Sequence, residues 1–475
     1  MIFDDSYAMT IGGELVSGGA TFDVINPATE GTITHVPDAT REQLDAAIAA
    51  ARAAFPGWAA TPIAERREAL DKLGDAVLAH IDDFKRLLTA EQGKPHADAE
   101  MEVGGAGMWL KGAATLDLPV TVNEDSAERY SETRHVPIGV VGAIAPWNFP
   151  MILAMFKVGP ALLAGNTMVL KPSPFTPLTT LKFGELAAGI LPPGVLNVVT
   201  GSDRLGPWMT EHPGIDKVSF TGSTATGRRV MQSASATLKR VTLELGGNDP
   251  AIVMPDVDVE KVAEELFWAA FRNNGQICIA TKRMYVHEDV YEPLKAAIVA
   301  YARTVKIGDG AEQGTQIGPI NNKPQYDRVL ELIQDSRDKG YDFLIGGEAA
   351  DVPGYFIPVT IIDNPPEDSR IVQEEQFGPV LPLLKFDDVD EVIARANATD
   401  YGLGGSVWGT DEDQAMAIAE RIASGTVWVN ETQHLTPFAA FGGMKQSGVG
   451  VEGGVEGLLE YTHAQTVVRR KRATA

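Results

Sequence analysis

The middle of the chain alternates between short apolar runs and segments whose apolar residues recur every three to four positions. Ile138–Ala145 and Val241–Leu245 are examples of the runs, and Thr176–Ile190 is an example of the helical pattern. Apolar runs of this length, bounded by turns, are typical of strands buried on both faces. The alternation therefore predicts parallel sheets covered on both sides by helices.

Two stretches carry this pattern. In the first, the predicted strands are Ile138–Ala145, Thr167–Leu170, Val195–Thr200, Lys217–Phe220 and Val241–Leu245, and the predicted helices are Met151–Ala164, Thr176–Ile190 and Thr226–Ala236. In the second, the predicted strands are Ala251–Val253, Met284–Val286 and Phe343–Ile345, and the predicted helices are Val259–Asn273, Val290–Val305 and Gln325–Lys339. We predict an α/β fold with two Rossmann-like lobes, each built on a parallel sheet whose ligands lie at the carboxyl ends of the strands.

The remaining segments flank these lobes. A polar strand region at Thr21–Pro37 precedes two amphipathic helices, Thr40–Phe55 and Thr61–Leu88, and the first of these begins with a capping-box signature. Two polar, alternating segments, Thr121–Val136 and Thr462–Arg470, fit neither lobe. They predict β ribbons that reach away from the body of the protein.

The acidic composition excludes several classes of function. The 475-residue chain has 64 Asp and Glu against 40 Lys and Arg, a formal net charge of −24. Nucleic-acid binding requires a basic surface, and an anionic membrane repels such a chain. No apolar run approaches the ~20 residues of a membrane-spanning helix, and the N-terminal segment lacks the pattern of a signal peptide. We expect a cytoplasmic protein that binds neither nucleic acid nor membrane.

Cys278 is the single cysteine of the chain. An intrachain disulfide is therefore impossible, and a cysteine-based metal site is not expected. The residue follows an apolar helix in a polar turn, Asn274–Cys278, and such turns present reactive groups. Its role is either that of a small buried apolar residue or that of a nucleophilic thiolate, which needs a nearby base or helix end.

Two further polar residues follow predicted strands. Asn148 lies between two prolines after Ile138–Ala145, where its amide can stabilise an oxyanion or cap the next helix. Glu244 lies between leucines at the end of Val241–Leu245, where burial would raise its pKa into the range of a general base. The alternative for Glu244 is a structural carboxylate with an ion-pair partner.

Three segments could contact a phosphate or a ribose. Phe220–Gly227 follows a strand and opens a helix, so its backbone amides suit a phosphate as well as an ordinary helix cap. Lys171 lies at a strand end, and Glu375 lies in a turn before Phe377. Each of these two charges is either a ligand contact or a solvated surface group.

The order and spacing of these segments resemble the aldehyde dehydrogenase superfamily. The resemblance covers nearly the whole chain, from Ile25 to Tyr461, and includes Phe441–Gly443. It points to the hydrolytic, non-acylating branch, because that branch carries the glutamate found here as Glu244. The implied activity is oxidation of an aldehyde to the carboxylic acid with reduction of NAD(P).

The resemblance also implies the roles of individual residues. Cys278 would attack the aldehyde, Asn148 and the Cys278 amide would hold the oxyanion, and Glu244 would activate water to hydrolyse the thioester. Lys157 matches a lysine near the oxyanion, and Glu452 matches a second glutamate suggested as a proton outlet. The implied cofactor-binding residues are Ala145, Pro146, Trp147, Lys171, Ser173, Pro174, Gly222, Ser223, Gly227, Leu245, Glu375 and Phe377. The implied substrate-tunnel residues are Phe149, Leu153, Phe156, Arg272, Ile277 and Ile279.

Domain and subunit organisation follow from the same resemblance. We expect an NAD(P)-binding domain from residues 1–120 and 138–246, a catalytic domain from 247–445, and oligomerisation or bridging segments at 121–137 and 446–475. The ribbons imply a homodimer or a homotetramer. The basic run Arg469–Arg472 is either a solvated end or part of a subunit contact.

Two departures from the family pattern bear on specificity. Pro174 replaces a glutamate that bonds the adenosine ribose in many NAD-preferring members, so we expect NADP to be tolerated. We still expect NAD to be preferred, because no extra cation lies close to Pro174 in the sequence to attract a 2′-phosphate. Arg272 replaces a common aromatic, so it either binds an anionic semialdehyde or points to solvent. Because the other tunnel residues are apolar, we expect a medium-sized hydrophobic aliphatic or aromatic aldehyde. The remaining alternatives are a coenzyme A–acylating enzyme and a catalytically silent binding protein.

Overall fold

The computed structural model describes residue 3 and residues 6–471. The strands are, in chain order, β1 (Met9–Ile11), β2 (Glu14–Val16), β3 (Ala20–Ile25), β4 (Thr32–Asp38), β5 (Thr121–Asp125), β6 (Arg129–Pro137), β7 (Val140–Ile144), β8 (Thr167–Lys171), β9 (Leu196–Val198), β10 (Lys217–Thr221), β11 (Arg240–Glu244), β12 (Asp249–Val253), β13 (Thr281–His287), β14 (Asp342–Ile345), β15 (Thr360–Asp363), β16 (Val380–Phe386), β17 (Gly404–Trp408), β18 (Thr426–Val429), β19 (Gly448–Val449) and β20 (Thr462–Arg470). The helices are α1 (Arg41–Ala60), α2 (Ile63–Ala79), α3 (Ile81–Gln92), α4 (His96–Ala114), α5 (Pro150–Leu163), α6 (Leu178–Ala188), α7 (Leu205–Glu211), α8 (Thr224–Ala234), α9 (Val259–Phe271), α10 (Glu288–Ala302), α11 (Lys323–Asp338), α12 (Arg370–Gln373), α13 (Val389–Asn397), α14 (Glu412–Ala419) and α15 (Gly454–Leu459).

The first lobe is built on an eight-stranded sheet in the order β19-β11-β10-β7-β8-β9-β1-β2. The five strands from β11 to β9 are parallel, and the outer strands pair antiparallel with them. β7 and β8 are buried along their whole length, because helices cover both faces of the sheet.

The second lobe is built on a seven-stranded sheet in the order β14-β15-β16-β13-β12-β17-β18. All neighbouring strands are parallel except β14 and β15. Two apolar clusters pack on this sheet, one around Ile252 and Val407 and one around Val253 and Phe267. The two parallel-sheet lobes of the α/β fold are therefore confirmed.

The predicted ribbons form a separate three-stranded sheet. β20 pairs antiparallel with β6 over its whole length, from Thr462 opposite Pro137 to Arg470 opposite Arg129, and β6 pairs with β5. Most of β20 is exposed. Arg472 of the basic run lies outside the described residues, as do residues 1, 2, 4 and 5 and 473–475.

Several elements differ from the sequence prediction. The predicted helix Thr61–Leu88 is two helices, because the backbone leaves the helical conformation at His80 and α2 and α3 pack separately against α4. The helix α4 was not predicted. β19 pairs with β11 in the first sheet, although residues 446–475 were assigned to a bridging segment. The domain division itself stays a prediction.

Within the described residues, no helix combines the length and the apolarity that a membrane crossing requires.

Candidate active site

A cavity of about 1020 Å³ opens where the first sheet reverses its strand order. β7 and β10 are neighbours in the sheet, but the strands that follow them in sequence lie on opposite sides, and ligands bind at such a switch point. The loop after β7 contributes Ala145–Asn148, and the loop after β10 contributes Gly222 and Ser223. Cys278 of the second lobe lines the same cavity, so the site lies between the lobes.

The cavity brings together most of the residues predicted from the sequence. The predicted residues in its lining are Ala145, Pro146, Trp147, Asn148, Leu153, Lys171, Ser173, Pro174, Gly222, Ser223, Leu245, Cys278, Glu375 and Phe377. Gly227 supports this lining from behind, since a Cβ there would lie 2.4 Å from the Leu245 side chain. Gly227 therefore allows α8 to pack closely on the cavity wall.

The cavity suits a dinucleotide. Ser223 caps α8 by accepting a hydrogen bond from the Thr226 amide at 3.3 Å, and the positive end of the helix dipole favours phosphate. Lys171 is buried, and this burial lowers its pKa to about 8. At the Cys278 end, Trp147 and Phe377 meet edge to face with ring centres 5.3 Å apart. The lining thus offers hydrogen-bond donors that can bind phosphate, and an aromatic surface.

Three consecutive left-handed residues shape the turn before the nucleophile. Asn273, Asn274 and Gly275 have φ values of 50°, 58° and 72°. At Gly275 a Cβ would lie 2.2 Å from the Gly378 carbonyl oxygen, so only glycine fits. Such backbone strain is concentrated at functional sites, and here it directs the chain towards Cys278.

The surroundings of Cys278 set the acidity of its thiol. Burial raises its pKa to about 12, and the nearby Lys282 ammonium opposes this effect. Lys282 donates hydrogen bonds to the carbonyl oxygens of Ile277 and Cys278 at 2.8 and 2.7 Å. Attack by Cys278 therefore requires a proton acceptor.

Among the described residues, the Asn148 side chain donates one hydrogen bond. Its side-chain nitrogen donates to the Gln276 carbonyl oxygen at 2.9 Å, which uses one of the two amide hydrogens. The cap residue of α5 is Phe149, which forms no side-chain cap hydrogen bond. Asn148 therefore does not cap the helix, and its second hydrogen is available to an oxyanion near Cys278.

Glu244 is a buried carboxyl group without a hydrogen-bond partner among the described residues. Burial and repulsion from Glu452 raise its pKa well above the usual value, while Lys157 opposes the shift. Lys157 and Glu452 form a buried ion pair at 2.7 Å. The structure brings these three predicted residues together, and Glu244 is not the ion-paired structural carboxylate of the alternative interpretation.

Glu375 has protein partners in this state. Its carboxylate accepts a hydrogen bond from the Gly247 amide at 3.0 Å and lies 3.6 Å from the Lys282 ammonium. Burial raises the pKa of Glu375, and Lys282 opposes the shift. Glu375 is therefore a half-buried, paired group in the cavity wall and is not a fully solvated charge.

The predicted tunnel residues do not all lie together. Ile277 and Ile279 form a buried apolar cluster with Trp428 and Phe441, and Phe149, Cys278 and Leu435 pack against it. Phe156 instead stacks on Trp109 in the first-lobe core, with ring centres 3.6 Å apart. Arg272 is exposed and interacts electrostatically with Asp98. An apolar cluster thus packs against Cys278, whereas Phe156 and Arg272 lie elsewhere.

Several site residues were missed from the sequence. Lys282, Lys94 and Glu102 are buried charges around the site, and Arg229 lies in the cavity lining. One signal was available: Glu102 falls on the same helical stripe as the buried Ala99 and Ala106, where a carboxylate requires a partner. Among the described residues, no group of His, Cys, Asp or Glu side chains could hold a metal ion.

The sequence model of the aldehyde dehydrogenase family matches residues 15–467. A probable aldehyde dehydrogenase from Pseudomonas sp. is 44% identical over 98% of this chain and 94% of its own length. Phenylacetaldehyde dehydrogenase from Pseudomonas fluorescens is 41% identical over 97% of this chain and 95% of its own length. The crystal structure of betaine aldehyde dehydrogenase from Staphylococcus aureus in complex with NAD+ superposes with a TM-score of 0.94, at 32% identity over 98% of this chain and 94% of that chain.

Proposed function

Because this chain belongs to the aldehyde dehydrogenase family, we propose that it oxidises a hydrophobic aldehyde through a covalent intermediate on Cys278. One observation carries this proposal. Cys278 and Asn148 lie in the lining of one cavity, and the same lining contains groups that can bind phosphate and ribose. This shared lining supports the proposal that a thiol and an oxyanion donor lie beside the binding site for NAD(P).

The first half of the reaction forms the bond to sulfur. The Cys278 thiol first loses its proton to solvent. The resulting thiolate attacks the aldehyde carbon, and the carbonyl oxygen becomes an oxyanion. The free Asn148 N–H and the Cys278 backbone amide stabilise this charge as it develops. When bound, the nicotinamide supplies the hydride acceptor that converts this thiohemiacetal into a thioester on Cys278.

The second half of the reaction removes the acyl group. Glu244 takes a proton from water, and the resulting hydroxide attacks the thioester and releases the carboxylic acid and the Cys278 thiolate. Burial raises the pKa of Glu244 well above its usual value, which strengthens its carboxylate as a base. The buried, unpaired Glu244 favours water over coenzyme A as the acyl acceptor.

The proposed substrate is a medium-sized hydrophobic aliphatic or aromatic aldehyde. The apolar cluster of Ile277, Ile279 and Phe441 against Cys278 supports this class, as does the relative that acts on phenylacetaldehyde. The alternative, an anionic semialdehyde bound by Arg272, has less support. Arg272 is exposed, and Asp98 offers its guanidinium a carboxylate within the protein.

Turnover over a panel of aldehydes tests this substrate class. We expect kcat/KM for hexanal, benzaldehyde and phenylacetaldehyde to exceed that for succinate semialdehyde by at least about tenfold. An apolar pocket removes water from the carboxylate of the semialdehyde and supplies no polar partner in its place. The rate is measured as reduced nicotinamide, with NAD and NADP in parallel. We expect NAD to be preferred and NADP to be used, since Pro174 places no carboxylate against a 2′-phosphate and Arg229 lines the same cavity. Faster turnover of succinate semialdehyde would instead support the Arg272 alternative.

Removal of the oxyanion donor tests the role of Asn148. For Asn148→Ala we expect kcat to fall by about 10²–10³-fold, the effect of losing one donor from an oxyanion hole. The binding of NAD, measured by quenching of tryptophan fluorescence, should stay close to that of the wild type. A variant with an unchanged kcat would contradict the proposed role.

We further propose that the protein is a homodimer or homotetramer. Val122 of β5 and Val468 of β20 are exposed on the three-stranded sheet, with 54% and 62% of their surface accessible. Apolar residues on a protruding sheet are typical of a subunit contact. The cytoplasmic location inferred from the sequence stays a proposal.

A further inference from the structure

A buried ion pair lies behind the loop that carries Asn148. The Lys94 ammonium and the Glu102 carboxylate are 2.5 Å apart, and neither side chain has any exposed surface. Lys94 lies in the turn between α3 and α4, and Glu102 lies on α4. The reaction steps described above do not use either residue, and burying two charges is costly unless each is fully bonded.

Two of the three contacts of the Lys94 ammonium are made with one short segment, Asn148–Phe149. Besides Glu102, the ammonium donates to the Asn148 carbonyl oxygen at 2.9 Å and lies 3.7 Å from the centre of the Phe149 ring. A lysine ammonium has three N–H groups, so the ion pair, the carbonyl and the ring account for all of them. Lys94 therefore fixes the backbone of Asn148, whose side chain lines the same cavity as Cys278.

Glu102 holds the next part of the same segment. Its other carboxylate oxygen accepts hydrogen bonds from the amides of Met151 and Ile152 at 2.9 and 3.4 Å. These are free amides of the first turn of α5, which its own cap residue Phe149 leaves without a side-chain partner. Glu102 thus caps α5 from a neighbouring helix, and the ion pair binds the chain from Asn148 to Ile152.

The nucleophile loop is bound to the same carbonyl. The Asn273 side chain donates to the Asn148 carbonyl oxygen at 3.1 Å, while Asn148 itself donates to the Gln276 carbonyl oxygen. The Asn148 backbone therefore joins the first lobe, through Lys94, to the turn that presents Cys278. A shift of this carbonyl moves the Asn148 amide relative to the sulfur atom.

From these contacts we infer that Lys94, supported by Glu102, is a positioning residue that aligns the Asn148 amide with the oxyanion formed at Cys278. The inference rests on the proposed role of Asn148. Because a misplacement of about 1 Å can cost about 10²-fold in rate, loss of Lys94 should slow the oxidation step without removing any group that touches the substrate.

A double-mutant cycle tests this inference. The rate of reduced-nicotinamide formation in a single turnover, at saturating NAD and aldehyde, is measured for the wild type, Lys94→Met, Asn148→Ala and the double variant. We expect Lys94→Met to lower this rate by about 10–100-fold, with little change in the dissociation constant of NAD. In the Asn148→Ala background the same substitution should have almost no further effect, because a positioning residue acts only through the group that it positions.

Control variants separate positioning from a general loss of stability. Lys182→Met removes another buried lysine of the same lobe, one that lies 3.2 Å from Glu185 and outside the cavity lining, and should leave the single-turnover rate unchanged. Lys94→Gln, which keeps a donor for the Asn148 carbonyl, should recover part of the lost rate. If Lys94→Met does not fold, Lys94→Gln takes its place in the cycle.

The measured rates distinguish a failure of the Lys94 positioning role from a failure of the proposed oxyanion role of Asn148. Equal rate losses for Lys94→Met in the wild-type and Asn148→Ala backgrounds would overturn the positioning role, as would an unchanged rate in Lys94→Met. A wild-type rate in Asn148→Ala would overturn the oxyanion role of Asn148, and the positioning role with it. A loss confined to Lys94→Met and Lys94→Gln, absent after Asn148 is removed, supports the inference.

Discussion

Replacement of Cys278 by alanine should abolish aldehyde oxidation. The expected loss in kcat exceeds about 10⁴-fold, because no covalent intermediate can form without the nucleophile. Cys278 is the single cysteine of the chain, so no other thiol can substitute. The measurement is the steady-state rate of reduced-nicotinamide formation with NAD and hexanal.

Covalent labelling and cofactor binding complete this test. Mass spectrometry of the wild type, quenched in acid during turnover, should detect one acyl group on the peptide that contains Cys278. Cys278→Ala should show no such adduct and should still bind NAD, since the phosphate and ribose contacts lie elsewhere in the cavity. Substantial turnover by Cys278→Ala would contradict the covalent mechanism.

Replacement of Glu244 by glutamine should stop the reaction after the thioester has formed. We expect a burst of one reduced nicotinamide per active site, followed by a steady-state rate about 10²–10⁴-fold below that of the wild type, the range for loss of a general base. Rapid-mixing absorbance measurements separate the burst from the steady state. Glu91→Gln is a suitable control, because Glu91 is a fully buried carboxyl group with a raised pKa that caps α6 at Leu178 and Thr179.

The pH dependence of the wild type follows from the same group. A general base acts in its deprotonated form, so the hydrolysis rate should rise with pH through the pKa of Glu244. Because burial raises that pKa well above the usual 4.5 of a glutamate, the rise should occur at a pH well above 4.5. Glu244→Gln should lose this dependence; a variant that retained both the dependence and rapid steady-state turnover would show that another group is the base.

Local sequence patterns predicted much of the fold. The apolar runs that became β7, β8, β10 and β11 lie where they were expected, because a strand buried on both faces must be apolar along its length. The capping box at Thr40 and Gln43 also forms as expected, with both of its reciprocal hydrogen bonds. The missed helix α4 is rich in alanine and glycine and is buried on much of its surface, so its apolar residues do not form a clear stripe.

The preference for NAD or NADP cannot be inferred from residues adjacent in the sequence alone. Apart from Lys171, no cation lies close to Pro174 in the sequence, but Arg229 of α8 lies in the same cavity lining. The folding of α8 against the first sheet makes these two residues part of one site. The sequence neighbours of Pro174 therefore do not include Arg229, a positive charge that the fold brings into the same cavity.

The sequence by itself determined which groups are available for chemistry and which strand end carries each of them. A lone cysteine in a polar turn, an asparagine between prolines and a glutamate between leucines are local facts, and strand ends in a parallel sheet meet at one edge. Only the tertiary structure decided the contacts between distant segments. It placed Phe156 on Trp109, left Arg272 exposed and set the Lys94–Glu102 pair behind Asn148. These contacts depend on how helices and lobes pack against one another, and no local periodicity specifies which buried charge meets which partner.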